Sequence, residues 1–393
     1  MKKGIILSLI LALSIGVFAQ NDITEIYTAE ELAAINASES SMEGTYILMN
    51  NLIVDNWTPI GGIDGAEYRG FMGTFDGNGH TVTINSFNGS IDNTHIGLFG
   101  LIGEEGLVKN LRVAGKVNYT GGQKFLYIGG IAGLNRGSIK FCVSSIDLTC
   151  DYVKSQAERK LKAQSGYETG RYGGCIAGVN IGLVIHSYSD GSIKVSSSTY
   201  PMQRGVAAGI AGCNGSPIKG SFGISIGSGG VGVSAAPGAP VKQKGGIGYC
   251  YSTASVYAAN ACGIAGYNHP ESAVFNNCVA LNHVLEARNA PAPKATPYTV
   301  AFSMAITHPN FQFHFRDDIV TRQYNDKGIE KPAKFSDKCA IAFSTTQTES
   351  WWRMPDGLPE DEHKKVLGFP FGTDEESPWK WDDNLKRPVL YWE

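Results

Sequence analysis

The sequence predicts an all-β chain wound as a right-handed parallel β-helix, with a short N-terminal capping helix and an aromatic-rich C-terminal cap. Three observations predict it. A glycine-rich unit recurs along the chain, its residues alternate with a period of two, and its breaks fall at Asn-Gly or Asp-Gly pairs. The cleanest copy is Tyr127-Ile-Gly-Gly-Ile-Ala-Gly133, then Leu-Asn-Arg-Gly137, then Ser-Ile-Lys-Phe-Cys142. Others are Tyr172-Gly-Gly-Cys-Ile-Ala-Gly178, Ala208-Gly-Ile-Ala-Gly212 and Cys262-Gly-Ile-Ala-Gly266, with a bulkier version at Ile96-Gly-Leu-Phe-Gly100. The closing glycines are separated by 33, 45, 34 and 54 residues, a unit of 33 or 34 twice lengthened by an insertion. Fixed-period self-similarity marks a stacked architecture in which each unit buries its apolar face on its neighbours. The Gly, Ile, Val, Ser and Tyr content excludes helical repeats of similar length. Three strand-like runs fit each unit, such as 127–134, 138–144 and 146–150, which reads as a parallel β-helix.

The interior of such a coil can be assigned. Leu111, Cys142, Ser187, Cys250 and Cys278 occupy the matching place in successive units. Stacked coils sit roughly 4.8 Å apart, so one position per unit forms an internal ladder. Ala132, Ala177, Ala211 and Ala265 form a second, their small side chains allowing a tight corner.

From the N-terminus, Met1 to Ala19 reads as a signal peptide: Lys2 and Lys3, an apolar stretch over 5–17, and a small-residue cleavage site before Gln20. The apolar stretch is short for a membrane span. Residues 20–44 form an N-terminal cap, where Thr28-Ala-Glu-Glu31 is a capping box that opens a short helix over the first coil. The repeat region is 45–285. Within it Asp76-Gly-Asn-Gly79 resembles the start of a calcium loop but lacks the later acidic ligands, so a tight turn is expected, and no metal.

Two insertions leave the coil. One, at about 151–171, holds a basic run from Lys154 to Lys162. The other, at about 216–245, is rich in Gly, Ala and Pro. Its Gly227-Ser-Gly-Gly-Val-Gly232 matches a dinucleotide-binding pattern literally, but no helix follows to receive a phosphate, so a flexible loop is expected. Loops over a rigid scaffold are where such a protein carries function.

Residues 286–393 form a closing region or small companion domain beyond a stiff link, Ala290-Pro-Ala-Pro-Lys-Ala-Thr-Pro297. Five of the six tryptophans lie here: Trp351, Trp352, Trp379, Trp381 and Trp392. Trp351, Trp352, Trp379 and Trp381 could stack on sugar rings, with Asp382 and Asp383 bonding hydroxyls. The competing expectation is that the large rings close the last coil.

The order Gly73-Thr-Phe-Asp-Gly-Asn-Gly-His80, Ile96-Gly-Leu-Phe-Gly100, repeated Gly-Ile-Ala-Gly and Asn277-Cys278-Val-Ala-Leu-Asn282 resembles the GLUG-motif proteins, exported β-helical proteins of Bacteroides-like bacteria. The resemblance covers about 45–285 and implies an architecture rather than an activity. The same motif also resembles segments of large bacterial immunoglobulin-A proteases, but no zinc-protease His-Glu-x-x-His occurs, so that activity is not carried over.

Net charge is −3 with 18% charged residues, which gives no basic stripe for nucleic acid. Eight cysteines in an exported chain ordinarily suggest disulfides, yet most fall on the inner ladder or in the Ile-Ala-Gly segments, where reduced core thiols are expected. Catalysis on a β-helix needs paired carboxylates or a base with charge-stabilising partners on one groove. Here Asp147, Asp151 and Asp190 share no register, and a site, if one exists, would involve Asp190 or His186 beside an insertion. The sequence therefore favours an exported, adhesin-like or ligand-binding protein at the outer cell surface or in the periplasm. Its loops would meet glycans or host-protein partners, with no cofactor. A carbohydrate-active lyase or glycosidase is the alternative.

Overall fold

In a computed structural model, each repeat turns through four short walls, and successive repeats stack in register. The structure describes residues 23–64, 67–88, 94–121, 126–152, 171–195, 205–215, 221–227, 230–236, 245–258, 260–268, 273–287, 313–316, 320–324, 330–331, 340–353 and 367–393. One rung runs Leu126–Gly129, Ala132–Asn135, Ser138–Lys140 and Val143–Tyr152. These strands belong respectively to two five-stranded sheets, an eight-stranded sheet and a fourteen-stranded sheet. Pairing between rungs is parallel throughout the column, as in Tyr127↔Tyr172 and Ile139↔Val184. The architecture is a parallel β-helix.

The expected three runs per unit become four strands, and the reason is local. The run 127–134 breaks at Gly129-Gly130. A Cβ on Gly129 would lie 2.3 Å from the Ala132 carbonyl oxygen, and one on Gly130 would lie 2.5 Å from that of Cys175. The chain can turn sharply only because neither residue has a side chain. The apolar residue after the turn then points inward, so Leu98, Ile131, Ile176, Ile210 and Ile264 form a fully buried column. Conversely, the expected runs 138–144 and 146–150 divide differently, since Val143–Tyr152 is one continuous strand.

The alanine ladder is in place: Ala132 pairs with Ala177, Ala177 with Ala211, and Ala211 with Ala265, all without exposed surface. Beside it runs a ladder of buried asparagines. Asn135 Nδ2 donates to Asn180 Oδ1 at 2.8 Å, and Asn180 Nδ2 donates to Asn214 Oδ1 at 2.9 Å. The same amide nitrogens also reach Leu183 O and Gly246 O, tying one sheet to the next across the corner.

The Leu111–Cys142–Ser187–Cys250–Cys278 ladder is fully buried as well. Its chemistry repeats. The thiols of Cys142, Cys250 and Cys278 each donate to the carbonyl two residues earlier, at 3.1 Å, and the Ser187 hydroxyl does the same at 2.9 Å. A small side chain with one donor proton is therefore what this position favours. All seven described cysteines are free and buried, and burial pushes the Cys142 and Cys150 thiols up to about 12. Cys339 lies outside the described residues.

The N-terminal cover forms as expected. Thr28 Oγ1 accepts from Glu31 N, and Glu31 Oε2 accepts from Thr28 N at 3.0 Å, opening the helix Ala29–Ala33. Leu32, Ile35 and Met42 lie buried in the same core as the first strands of the column, so the helical segment covers the apolar interior that would otherwise be open. The column also continues past Leu285. Phe313–Arg316 and Val320–Tyr324 add to the fourteen-stranded sheet alongside Cys278–Ala280 and Val284–Ala287.

The segment 216–245 contains an antiparallel hairpin, Ser221–Gly227 with Gly230–Ala236, rather than a structureless loop. Gly227 and Gly230 pair with each other and Gly232 pairs with Ser225, so the Gly-x-Gly-x-x-Gly match falls on two paired strands and opens no helix. The insertion at 151–171 lies mostly outside the described residues, as does the signal-peptide segment.

Replacing Asn180 by Ala should take away the donor shared by Asn214 Oδ1 and the Gly246 carbonyl, and with it the acceptor for Asn135. Each orphaned buried group costs about 1–3 kcal/mol, so a drop in the urea midpoint equivalent to about 2–6 kcal/mol is expected for two. An unchanged midpoint would show that the asparagine ladder is incidental.

Candidate functional site

Where the eight-stranded sheet hands over to the fourteen-stranded one, five successive rungs each place a non-glycine residue in the left-handed region. These residues are Asn110, Phe141, His186, Tyr249 and Asn277, with φ between 47° and 53°. Asparagine tolerates this conformation, whereas an aromatic residue adopts it at a cost of about 1–2 kcal/mol. Stacking down the column offsets part of that. Phe141 and His186 lie 5.7 Å apart at 14°, and His186 and Tyr249 lie 4.9 Å apart at 19°. One wall further in, Tyr188 and Tyr251 stack at 4.7 Å and 6°.

This flank is where the late tryptophans lie. Residues 367–393 run across it as a strap ending in a hairpin, Trp379–Asp382 with Arg387–Leu390. Contacts follow the corner column rung by rung. Tyr391 OH donates to Asn110 Oδ1 (3.0 Å), Trp392 Nε1 to the Phe141 carbonyl (3.1 Å) and Trp379 Nε1 to His186 Nδ1 (3.2 Å). At the far end Phe369 meets Tyr249 edge-on, and Asn277 Nδ2 donates to Leu367 O at 2.7 Å.

The site residues expected from the sequence thus have definite places. Trp351, Trp352 and Trp379 are buried in a second core with Tyr188, Tyr251, Phe369 and Leu390. Trp352 Nε1 is satisfied by Thr346 O at 2.8 Å. These three rings have no free face for a sugar. The closure they provide is lateral, along the column, rather than over its last coil, because the aromatic corner column presents a longer apolar surface than one rung end does. Trp381 is half-buried at the hairpin, and Asp382 Oδ1 accepts from the Asn384 and Leu385 amides at 2.8 Å, fixing the hairpin turn. Asp383 is exposed and pairs with Lys386 at 3.4 Å.

A charged junction fastens the strap. Arg387 Nη2 reaches Asp190 Oδ2 at 3.4 Å and Nη1 donates to Thr253 Oγ1 at 3.1 Å, with the guanidinium over the Tyr188 and Tyr251 rings. Arg112 pairs with the Glu393 side chain, to which Tyr188 OH also donates at 2.7 Å. Two guanidinium groups and two carboxylates balance. Burial, with the Glu393 carboxylate close by, raises the Tyr188 phenol well above its ordinary range. Both side chains singled out for chemistry are therefore engaged: Asp190 in an ion pair, and His186 beneath Trp379. His186 stays neutral down to about pH 4, chiefly through burial and secondarily through Lys140.

Elsewhere, a shallow groove of about 360 Å³ beside the capping helix is lined by Glu30, Asn36, Asp55, Trp57 and Thr58. Trp57 is buried and donates to Leu98 O at 3.0 Å, and Asp55 accepts from Asn85 at 3.0 Å. Asp76 accepts from Asn78 N and Asn110 Nδ2 and pairs with Lys109, so Asp76–Gly79 is a turn. Among the described residues, no three His, Cys, Asp or Glu side chains converge as metal ligands, and no helix is long and apolar enough to cross a membrane.

The strap, the corner column and the asparagine ladder were missed by sequence reasoning. The asparagines carried a signal, since each follows the closing glycine of its repeat by two residues. The corner column did not, because Phe, His and Tyr give no hint of a left-handed turn.

No family model matches the chain. The chain is similar in structure to a crystallised protein of Bacteroides ovatus provisionally named an immunoglobulin A1 protease, with a TM-score of 0.51, 16% identity, and coverage of 94% of this chain and 92% of that one. At that identity the likeness shows the fold alone. In sequence, 83 residues are 42% identical to a protein of Evansella cellulosilytica provisionally named a Gly-rich membrane protein. The match covers 21% of this chain and 9% of that much longer relative.

Trimming Trp379 to Ala should cost the strap about 3–5 kcal/mol, the range for a fully buried large aromatic, and open it to limited proteolysis. Asp383→Asn should leave both stability and cleavage within error. Equal protease resistance in the two variants would mean that the strap is held by something other than this aromatic core.

Proposed function

We propose that the protein is an exported, non-catalytic recognition protein of the GLUG-motif kind, a rigid column that presents inserted segments to glycans or protein partners. One observation carries this reading. The hairpin 221–236 is a two-stranded sheet of its own that adds to no wall, and the rungs on either side stay in register around it. An insertion that joins none of the column's sheets, carried by a regular scaffold, suits binding. The spent state of Asp190 and His186 supports it too, since the carboxylate and imidazole best placed for chemistry serve the strap. The signal-peptide reading of residues 1–19 supports an address outside the inner membrane, and the name of the Evansella relative is in keeping with an envelope location. The name of the Bacteroides ovatus neighbour would suggest proteolysis, but no residue of this chain has been matched to that activity.

The deciding experiment is a glycan and host-protein array probed with the chain lacking residues 1–19, beside a variant in which 217–243 is replaced by a short Gly-Ser link. Binding that falls at least about tenfold in the variant, with the thermal midpoint unchanged, is the expected result; that loss corresponds to at least about 1.4 kcal/mol. Silence across the array, or turnover of a polysaccharide or peptide, would overturn the reading.

A further inference from the structure

The geometry points to the strap being an acid-released clamp, with His186 as the group that senses pH. The imidazole lies between Phe141 and Tyr249, and its Nδ1 accepts the one hydrogen bond that the buried Trp379 indole can donate. Indole N–H is a donor only. A proton on Nδ1 therefore sets two donors against each other at 3.2 Å, inside an aromatic stack that supplies no acceptor in exchange. The strap cannot keep Trp379 in place and accommodate that proton.

The surrounding charges do not relieve the conflict. Lys140 in the preceding rung opposes a second positive charge, and Tyr249 in the following rung brings a phenol rather than a carboxylate. In its own rung Asp190 is paired with Arg387, and on the strap Lys380 Nζ reaches the Tyr391 carbonyl at 3.4 Å. Burial holds the imidazole near pKa 4 while the strap is closed, against the ordinary 6.5 once it is open. The sign follows from linkage: the open state binds the extra proton between these values. Closure is at full strength above about pH 6.5 and weakens as pH falls toward 4. The full displacement is worth up to about 300-fold in the closed-to-open equilibrium.

The column need not open with it. His95, a second imidazole held near 4 by burial, sits in one of the five-stranded sheets, so amides there report its contribution separately. The strap's own bonds run to side chains and carbonyls of the flank rather than into a wall, which lets it lift as a unit.

Hydrogen exchange from pH 7 to pH 4, corrected for the intrinsic pH dependence of each amide, tests this on the full chain. In the wild type, amides of 379–392 should lose protection by one to two orders of magnitude, an estimate below the linkage ceiling, while amides of 211–214, in a sheet that does not hold His95, keep theirs. His186→Asn should abolish the slope: asparagine accepts the left-handed turn, and its Oδ1 offers a non-titrating acceptor near the position of Nδ1. His186→Phe, which copies Phe141 of the same column, should also be flat, from a less protected baseline, and serves if the first variant folds poorly. A slope that survives in either variant, or a strap and column that lose protection together, would overturn the proposal.

Discussion

Each rung takes its backbone hydrogen bonds from the rungs above and below, and most other features of the molecule follow from that. Parallel, in-register pairing places like positions on top of one another, so a residue's nearest neighbours are its equivalents one repeat away. Whatever a position needs, it needs repeatedly. The corner isoleucines, the alanines, the asparagine amides and the Cys/Ser donors are all columns for this reason. A buried amide in one rung would be a liability; in three rungs each donates to the next, which leaves Asn135 Oδ1 at the end as the acceptor without a partner.

The same rule concentrates strain. If one rung turns through the left-handed region to pass between two walls, its neighbours must do so as well, and the cost recurs at Asn110, Phe141, His186, Tyr249 and Asn277. The aromatic members recover part of it by stacking, worth about 0.5–1.5 kcal/mol per pair. They leave one flank apolar, and the strap is the consequence. It covers that flank with Trp379 and Trp392, whose N–H groups each find an acceptor, and it is fastened by a charge-balanced junction rather than by an isolated ion pair. Burying Arg387 and Asp190 unpaired would be unfavourable, so their pairing accompanies docking of the strap.

The aromatic-rich C-terminal region takes its meaning from this arrangement. Tryptophans near a chain end could serve a sugar, close a coil or brace a side. Only the last leaves Trp352 and Trp379 fully buried while Trp381 and Asp383 remain toward solvent. Under the proposed function, recognition belongs to the inserted segments. The strap governs how firmly the scaffold beneath them is held.

The winding was legible in the chain alone, because a repeat of 33 or 34 residues with period-two alternation and fixed glycines leaves few other ways to bury its apolar positions. The alanine and cysteine ladders and the capping box at Thr28 were legible for the same reason: each is a local pattern or a repeated one. The fourth wall was half legible, since Gly129-Gly130 marked a tight place without saying that the strand ends there. Contacts between segments far apart in the chain belong to the folded molecule. Nothing in Phe141, His186 or Tyr249 announces a left-handed corner, and nothing in Trp379 announces a partner 193 residues away. Those contacts exist because stacking first builds a continuous aromatic flank, and a surface made by several repeats together is not written in any one of them.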